Sequence, residues 1–374
     1  MNWRNTPTRE FDFPLVFAAA GLVVYGLLLI YSGSLTNYGE PGTNLSHPVT
    51  RQATFALFGL LAMLVLSRFD YRILGPLSVT IYVLSLALLV LVLFTGSSEY
   101  GSRRWIELLG TQVQPSEIAK VCTVIMLAKY FSDQEEKMRS ARVFLTSFAI
   151  AALPAALVLI EPDLGSALVF IAFWFAMVIV AGARFWHVAA FAIVGGVGAA
   201  VAWLEFAHGY QKERIAVWWD PEKYESGAGF NVVQAEISTG AGRVFGKGFT
   251  KGTQTQLDYL RTQTTDYIFS VGAEELGFVG AMVLFGLFML LLFRGISIAA
   301  RADDAFGRLI AVGVMSFILF QAFVNIGVNI RLMPVTGVPL PFVSLGGSSL
   351  VTLLASLGIV LSILGHRRRR PRRA

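Results

Sequence analysis

Apolar segments of about 20 residues, separated by short polar connections, run along almost the whole chain. A helix of that length crosses the hydrocarbon core of a bilayer. The pattern predicts an all-α polytopic membrane protein with ten transmembrane helices. The predicted spans are 13–32, 52–67, 73–95, 115–132, 143–160, 165–182, 187–206, 267–293, 308–330 and 347–365. Pro154, Pro162 and the glycines at 195, 196 and 198 leave the division of 143–206 open.

Composition agrees with a membrane protein. Of 374 residues, 55% are hydrophobic and 14% are charged, and mean hydropathy is +0.64. The single cysteine, Cys122, excludes an intramolecular disulfide and a cysteine metal site. The histidines lack metal-ligand spacing, and without a Gly-x-Ser-x-Gly or HExxH motif a hydrolase or zinc protease has no support. No Walker or dinucleotide fingerprint is present, and no organic cofactor is expected.

Basic residues predict the orientation. With a cytoplasmic N-terminus, the inside segments hold 17 Lys and Arg residues and the short outside loops hold four. Both termini are therefore predicted to be cytoplasmic, with the first span retained as a helix. Residues 1–374 form one membrane domain that ends in a basic tail, 366–374. The tail indicates attraction to anionic membrane lipids rather than to nucleic acid.

The topology places one long loop, 207–266, outside between the seventh and eighth spans. Trp218 and Trp219, with Lys212, Glu213 and Arg214 before them, are typical of a short interfacial helix. A glycine-rich basic stretch follows at 240–252. It suits phosphate or sugar binding, and a solvated loop without a ligand is the alternative.

Two charged residues, Glu117 and Lys120, lie inside an apolar segment. Their i, i+3 spacing places both on one helix face, where they can neutralise each other. Ionisable groups at membrane depth usually line a pathway or a reaction cavity. The alternative is a capping Glu117 with a Lys120 that extends to the membrane surface.

Other polar groups are predicted on the same outer side. Arg51 begins the second span, a turn at 161–165 contains Asp163, and Asp266 closes the long loop ahead of Glu274 and Glu275. Each aspartate has an alternative role as a helix cap, and the two glutamates could pack against basic partners.

The segment 333–349 contains three prolines and three glycines, so it cannot form a regular helix. Non-helical backbone at membrane depth is tolerated only beside protein or a water-filled cavity. We therefore expect either a re-entrant hairpin with a packing role or a cavity wall near the site.

These motifs resemble the SEDS family of peptidoglycan polymerases, and most closely its elongation branch. The resemblance extends from Phe11 to about Gly365. It rests on Trp105 with Gln114–Lys120, on 161–165, on 265–269 with 273–277, and on 325–349. Departures from the family pattern are the missing glutamate and histidine in 260–265 and Leu345 where a tyrosine is usual.

Family membership implies a glycosyltransferase that polymerises lipid II outside the bacterial cytoplasmic membrane and releases undecaprenyl pyrophosphate. It implies a class B penicillin-binding protein and elongation-complex proteins as partners. The residues that match family sites are Asp266, Glu117 and Lys120 for catalysis and Arg51, Trp105 and Asp163 for substrate binding. We add Gln114, Ser116 and Ser348 to the predicted substrate-binding set.

In the hypothesis that follows, Asp266 is the general base for a sugar hydroxyl, a role that contributes about 10²–10⁴-fold. Lys120, Arg51 or a divalent cation, Mg²⁺ or Mn²⁺, would balance the charge of the leaving pyrophosphate. A lipid II flippase and a noncatalytic scaffold that activates a partner polymerase are the competing functions.

Overall fold

The computed structural model describes residues 11–42, 47–99, 102–108, 111–206, 209–224, 227 and 229–366. The predicted basic tail beyond His366 lies outside the described residues. The helices are α1 Phe13–Tyr38, α2 Pro48–Arg68, α3 Leu74–Thr95, α4 Pro115–Asp133, α5 Ala141–Ile160, α6 Leu164–Val180, α7 Phe185–Phe206, α8 Gly209–Trp219, α9 Phe230–Ala241, α10 Thr253–Gln256, α11 Ile268–Arg301, α12 Ala305–Asn329 and α13 Gly347–Gly365.

The chain is a multi-pass helical membrane protein, as the apolar pattern predicts. Within the described residues, seven helices are long and apolar enough to cross a membrane, namely α1, α2, α3, α5, α11, α12 and α13. α6 and the described part of α7 are apolar but shorter. α4 carries Glu117, Lys120, Lys129 and Asp133. Each of the ten predicted spans corresponds to a helix, while the count of ten crossings remains a prediction.

The helices pack around α12 and α13, which are the most buried of the spanning helices. α2 runs along α13, α1 along α11, and α12 contacts α4, α6 and α11. Glycines permit the closest approaches: a Cβ on Gly358 of α13 would lie 2.6 Å from the carbonyl oxygen of Met63 on α2. The bundle is thus held by close helix packing through small residues, as expected in a membrane.

The connections between the helices lie on two opposite faces of the bundle. The loop side holds the described residues of the connections 39–47, 96–114, 161–163, 207–267 and 330–346. The tail side holds the connections 69–73, 134–140, 181–184 and 302–304 together with the C-terminal end of α13.

A small sheet on the loop side is an addition to the predicted all-α fold. Its strands are β1 Ser97–Glu99, β2 Ser102–Leu108 and β3 Thr111–Val113, joined in antiparallel order β1-β2-β3. The strands are short and lie between two apolar helices, so helical periodicity dominates this part of the sequence. The sheet carries Arg104 and Trp105 on β2 and leads directly into α4.

Glu274 and Glu275 anchor the long loop to the start of α11. Glu274 is fully buried and accepts hydrogen bonds from Lys247 Nζ at 2.8 Å and from the backbone N–H of Gln254 at 3.0 Å. Glu275 accepts from Ser32 Oγ on α1 at 2.5 Å and from the backbone N–H of Thr250 at 3.1 Å. The prediction that they pack against basic partners is confirmed for Glu274.

The glycine-rich stretch wraps a break in α11. Gly277 has φ +65°, which interrupts the helix. The loop supplies substitute backbone bonds there, from Lys247 N to the Glu274 carbonyl and from Phe278 N to the Arg243 carbonyl, both 2.9 Å. A Cβ on Gly277 would lie 2.2 Å from the backbone nitrogen of Gly246. Gly242 and Gly246 of the stretch serve close backbone packing, since a Cβ on them would lie 1.8 Å from the Ala273 carbonyl oxygen and 2.1 Å from the Glu275 carbonyl oxygen.

Replacing Gly277 by alanine is expected to destabilise the protein by more than about 1 kcal/mol, because the position combines positive φ with a backbone clash. Thermal unfolding of purified protein, followed by tryptophan fluorescence, measures the effect. Gly286→Ala in the same helix is the matched control, since no atom lies within 4 Å of a Cβ there. Equal unfolding temperatures for the two variants would contradict the interpretation.

The tail side fastens α1 to α11. Asp12, whose side chain is fully buried, caps α1 and accepts from Arg294 Nη2 of α11 at 2.5 Å, and Arg301 Nη2 lies 3.8 Å away. A second cluster joins Tyr71 and Arg72 to Asp304, with Oδ2 of Asp304 at 2.6 Å from the Tyr71 hydroxyl and 3.2 Å from Arg72 Nε. Arginines that the charge pattern places on this face are thus partly used to close the bundle.

Candidate active site on the loop side

Asp266 lies two residues before the start of α11 and is held there through its backbone. Its carbonyl oxygen accepts hydrogen bonds from Asn325 Nδ2 at 3.1 Å and Asn329 Nδ2 at 2.9 Å, both on α12. Asn329 Oδ1 in turn accepts from the backbone N–H and hydroxyl of Ser270. α11 has no side-chain cap, so Asp266 does not serve as one. The fold fixes the position of this residue without using its carboxylate.

Asp266 is half-buried, and its carboxyl interacts electrostatically with three charged residues. Burial raises its pKa to about 6, and Arg214 opposes the rise. Asp163 raises the pKa further, and Arg104 lowers it. These three charged residues come from α8, from the turn before α6 and from β2. A carboxyl with a pKa near 6 is ionised at neutral pH and retains more basicity than an ordinary aspartate.

The turn between α5 and α6 is bound to the sheet and to α4. Asp163 caps α6 by accepting from the backbone N–H and hydroxyl of Ser166, both at 2.9 Å, as the capping alternative predicts. Its carboxylate also lies 3.8 Å from Arg104 Nη1 and 3.5 Å from Gln114 Nε2. Arg104 further donates to the carbonyl oxygens of Glu161 and Pro162. Asp163 therefore combines a structural role with a place in the site.

Glu161, the first residue of that turn, is the unusual carboxyl of the site. Its side chain is 2% exposed, and neither carboxyl oxygen has a hydrogen-bond partner within the described residues. Burial raises its pKa to about 8, Asp163 adds to the rise and Arg104 opposes it. Glu161 therefore holds a proton at neutral pH.

Glu117 and Lys120 form the ion pair that their spacing predicts. Lys120 Nζ lies 2.8 Å from Glu117 Oε1, and the two side chains are 2% or less exposed. The second carboxylate oxygen of Glu117 accepts from Ser349 Oγ of α13 at 3.2 Å. The pair is sealed inside the bundle, so it does not reach the membrane surface as the alternative of an extended Lys120 requires.

The irregular segment before α13 joins this ion pair to the aspartate. Ser344 Oγ donates to the Thr265 carbonyl at 2.6 Å, and Leu345 N donates to the Thr264 carbonyl at 2.9 Å. Gln52 of α2 clamps the same segment by donating to the Ser344 carbonyl and accepting from Gly346 N. Residues 344–349 thus form one wall between Glu117 and Asp266, which agrees with the interpretation of the segment as a wall near the site.

The remaining predicted substrate-binding residues differ in accessibility. Ser348 Oγ is 3.3 Å from the backbone nitrogen of Gln114, so these two residues lie together. Trp105 is half-buried on β2, and Arg51 is exposed at the start of α2. Ser116 is fully buried, and its hydroxyl has no partner within the described residues.

Sequence reasoning did not assign site roles to Arg104, Arg214, Asn325 or Asn329. In the sequence, Arg104 contributes only to the count of basic residues in the outer loops, and Arg214 contributes only to the pattern of an interfacial helix. α8 is held through Trp218, whose indole donates to the Arg331 carbonyl at 3.1 Å. The asparagines carried a usable signal, because an i, i+4 pair of buried amides in an apolar helix needs hydrogen-bond partners.

The carboxylates of the site are candidate ligands for a divalent cation. Within the described residues, no cluster of three or more His, Cys, Asp or Glu side chains is placed to hold a metal ion. Mg²⁺ often needs only one or two protein carboxylates, with substrate phosphates and water completing its shell. Glu161, with two unpartnered oxygens, and Asp163 beside it fit such a partial site.

The fold and this site define a multi-pass helical membrane protein whose loop side carries a partly buried aspartate that interacts with several charged side chains. A family model described as cell cycle protein, covering FtsW, RodA and SpoVE, matches residues 13–369. The chain belongs to this family.

Similar proteins extend over nearly the whole chain. Peptidoglycan glycosyltransferase MrdB of Escherichia coli is 35% identical, over 96% of this chain and 94% of that protein. Stage V sporulation protein E of Bacillus subtilis is also 35% identical, over 96% of this chain and 98% of that protein. Thermus thermophilus RodA superposes with a TM-score of 0.69 at 31% identity, over 97% of this chain and 98% of that one. A chain of a peptidoglycan synthase complex that coordinates polymerization and crosslinking superposes with a TM-score of 0.81 at 32% identity, over 95% of this chain and 98% of that one.

Proposed function

We propose that this protein is a peptidoglycan glycosyltransferase that polymerises lipid II. The observation that carries the proposal is Asp266, which is anchored by its carbonyl to Asn325 and Asn329 and whose carboxyl interacts electrostatically with Arg104, Arg214 and Asp163. This arrangement provides a base next to positive charge. Relatives with the name peptidoglycan glycosyltransferase, such as MrdB, support the assignment.

In the proposed reaction, the 4-hydroxyl of an acceptor sugar attacks C1 of the donor glycan. The bond between C1 and the phosphate oxygen breaks, and a glycosidic bond between C1 and the acceptor oxygen forms. The hydroxyl proton passes to Asp266, and the electron pair leaves with undecaprenyl pyrophosphate. General-base catalysis of this kind contributes about 10²–10⁴-fold.

The departing pyrophosphate carries negative charge that the site must balance. Arg104 and Arg214 supply positive charge near Asp266. Lys120 is neutralised by Glu117 inside the bundle, so we assign that pair a positioning role through Ser349. Arg51, Trp105, Gln114 and Ser348 remain proposed substrate contacts, and the buried Ser116 is proposed to support them from beneath.

The proposal includes a divalent cation, Mg²⁺ or Mn²⁺, at Glu161 and Asp163. A bound cation would supply Lewis-acid charge to the pyrophosphate oxygens. Glu161 would lose its proton to bind it, so cation affinity should rise with pH through about 8.

Location and partners complete the proposal. The distribution of Lys and Arg supports a loop side that faces outward from the bacterial cytoplasmic membrane. The similarity to a chain of a peptidoglycan synthase complex supports a class B penicillin-binding protein as partner. A role in cell elongation, with elongation-complex proteins, extends the same proposal.

Purified protein mixed with fluorescent lipid II, with products resolved on a gel, tests the function. We expect a ladder of glycan chains. The same protein in vesicles, with lipid II in one leaflet, tests the alternatives. Movement of lipid II between leaflets without polymer would favour a flippase. If the protein shows neither movement nor polymer alone, and polymer appears only when a partner polymerase is added, a scaffold would be favoured.

The pH dependence of polymerisation should respond to the charges around Asp266 in opposite directions. Activity should rise through a pH of about 6 as the carboxyl ionises. Arg214→Gln removes a charge that lowers the pKa of Asp266, so this rise should move to higher pH. Asp163→Asn removes a charge that raises the pKa of Asp266, so the rise in activity should move to lower pH. Asparagine can still cap α6 as Asp163 does.

Initial rates across pH 5–8 measure both shifts, and Lys212→Gln, an exposed α8 residue, is the control. Shifts in the same direction for both variants would contradict the assignment of Asp266 as the titrating base.

A further inference from the structure

A cavity of about 410 Å³ opens on the tail side, between the ends of α1, α2 and α13. Asp266 lies on the opposite face of the bundle. We call this cavity the tail-side groove, and define it by Phe11, Phe13, Leu64, Arg68, Leu361 and His366, with Ser67 and Gly365 between them. Cavities of this size accommodate small-molecule ligands. None of the groove residues has a role in the proposed polymerisation.

The wall of the groove that faces the membrane is apolar. Phe13 is 73% exposed and Leu64 is 42% exposed. Phe11 packs edge-on against Phe13, with ring centroids 5.0 Å apart, and holds it at the rim. In a multi-pass membrane protein such surfaces face acyl chains rather than water, so one part of the groove suits a hydrocarbon chain.

The rim of the groove is basic. Arg68 is exposed in the last turn of α2, and within the described residues its side chain has no ion pair or hydrogen bond. This contrasts with Arg72 and Arg294, which are bound to Asp304 and Asp12. The His366 ring uses Nδ1 toward the Ser362 carbonyl at 3.0 Å, which leaves Nε2 for another partner.

No acidic residue is among the groove residues, and the neighbouring Asp12 and Asp70 are paired with Arg294 and Arg72, so the rim is basic. The sequence that follows His366 adds six arginines, which Arg68 would repel, so the chain's own tail is a poor occupant. The charge pattern predicts that this face is cytoplasmic, where anionic lipids attract basic segments. An occupant must therefore combine an anionic head with an apolar chain.

We propose that the tail-side groove binds one anionic phospholipid, with its phosphate at Arg68 and His366 and an acyl chain along Leu64, Leu361 and Phe13. The groove thus adds a defined lipid site to the general attraction of the basic tail. The site lies on the face opposite Asp266, so its test does not depend on the polymerase activity.

Native mass spectrometry of the purified, delipidated full chain provides the test. Phosphatidylglycerol and phosphatidylcholine with identical acyl chains are added separately, and the bound fraction is measured over a concentration series. We expect one phosphatidylglycerol to bind more tightly than phosphatidylcholine. Arg68→Gln should weaken phosphatidylglycerol binding about fivefold, the effect of one basic residue at an anionic surface, and leave phosphatidylcholine binding unchanged.

Two further variants sharpen the result. Arg308→Gln removes another exposed tail-side arginine outside the groove and should leave lipid binding unchanged. Leu64→Trp fills the groove and should weaken both lipids, and thermal unfolding verifies that each variant is folded. Equal effects of Arg68→Gln and Arg308→Gln would overturn the proposal. Phosphatidylglycerol binding that no groove variant changes would also overturn it. In that case the lipid binds the basic tail, and the groove holds another occupant.

Discussion

Replacing Asp266 by asparagine is expected to reduce the rate of glycan polymerisation by about 10²–10⁴-fold, because the amide cannot accept the hydroxyl proton. Folding should be preserved, since Asn325 and Asn329 hold the backbone carbonyl of residue 266 and the carboxylate caps no helix. The measurement is the initial rate of glycan formation from fluorescent lipid II, with thermal unfolding recorded on the same preparations.

Asp258→Asn is the matched control for this experiment. Asp258 is an exposed aspartate of the same loop that receives a hydrogen bond from Asn37, and its φ of +56° suits asparagine. It should retain full activity. Full polymerisation by the Asp266→Asn protein would remove this residue from the role of base, whereas loss of folding would place it in the structural network.

Replacing Lys120 by methionine is expected to destabilise the protein by about 3–5 kcal/mol, because it leaves the Glu117 carboxylate buried without its counter-charge. Lys129→Met is the control on the same helix. Lys129 pairs with Asp133 at 2.5 Å, but both side chains are more than a third exposed, so that change should cost less than about 1 kcal/mol. Denaturant unfolding in detergent compares the two.

The double variant Glu117→Gln with Lys120→Met separates structure from function. It removes both charges, so most of the lost stability should return. If polymerisation stays low in the stable double variant, the ion pair contributes to the reaction beyond folding, through Ser349 and the wall at 344–349. Equal stability of Lys120→Met and Lys129→Met would contradict the buried-pair interpretation.

The helical architecture could be predicted because each spanning helix must satisfy its own backbone in an apolar segment of defined length. The boundaries were less accurate. α1 continues to Tyr38 and α11 continues to Arg301, beyond the predicted ends, since polar residues at helix ends can be buried against neighbours that a hydropathy pattern does not contain. The three-stranded sheet was missed for a related reason, because its strands are too short for a periodic signal.

The site was predicted in part. The Glu117–Lys120 pair follows from spacing on one helix. The charge pattern predicted Gln114 and Asp163 on one side of the bundle but did not predict the contact between them. Arg214 is different: it approaches Asp266 only because Trp218 and Arg331 fix α8 over the end of α12. Contacts between distant segments of this kind depend on packing, which local sequence does not specify.

The two attachments between α1 and α11 restrict how a lipid could enter. Asp12 binds Arg294 at one end, and Ser32 binds Glu275 at the other, about 30 Å apart along α1. The two attachments oppose separation of α1 from α11, so a lipid is not expected to enter laterally between these two helices. The polyprenyl tail of the proposed lipid substrate is therefore expected to enter along another flank of the bundle.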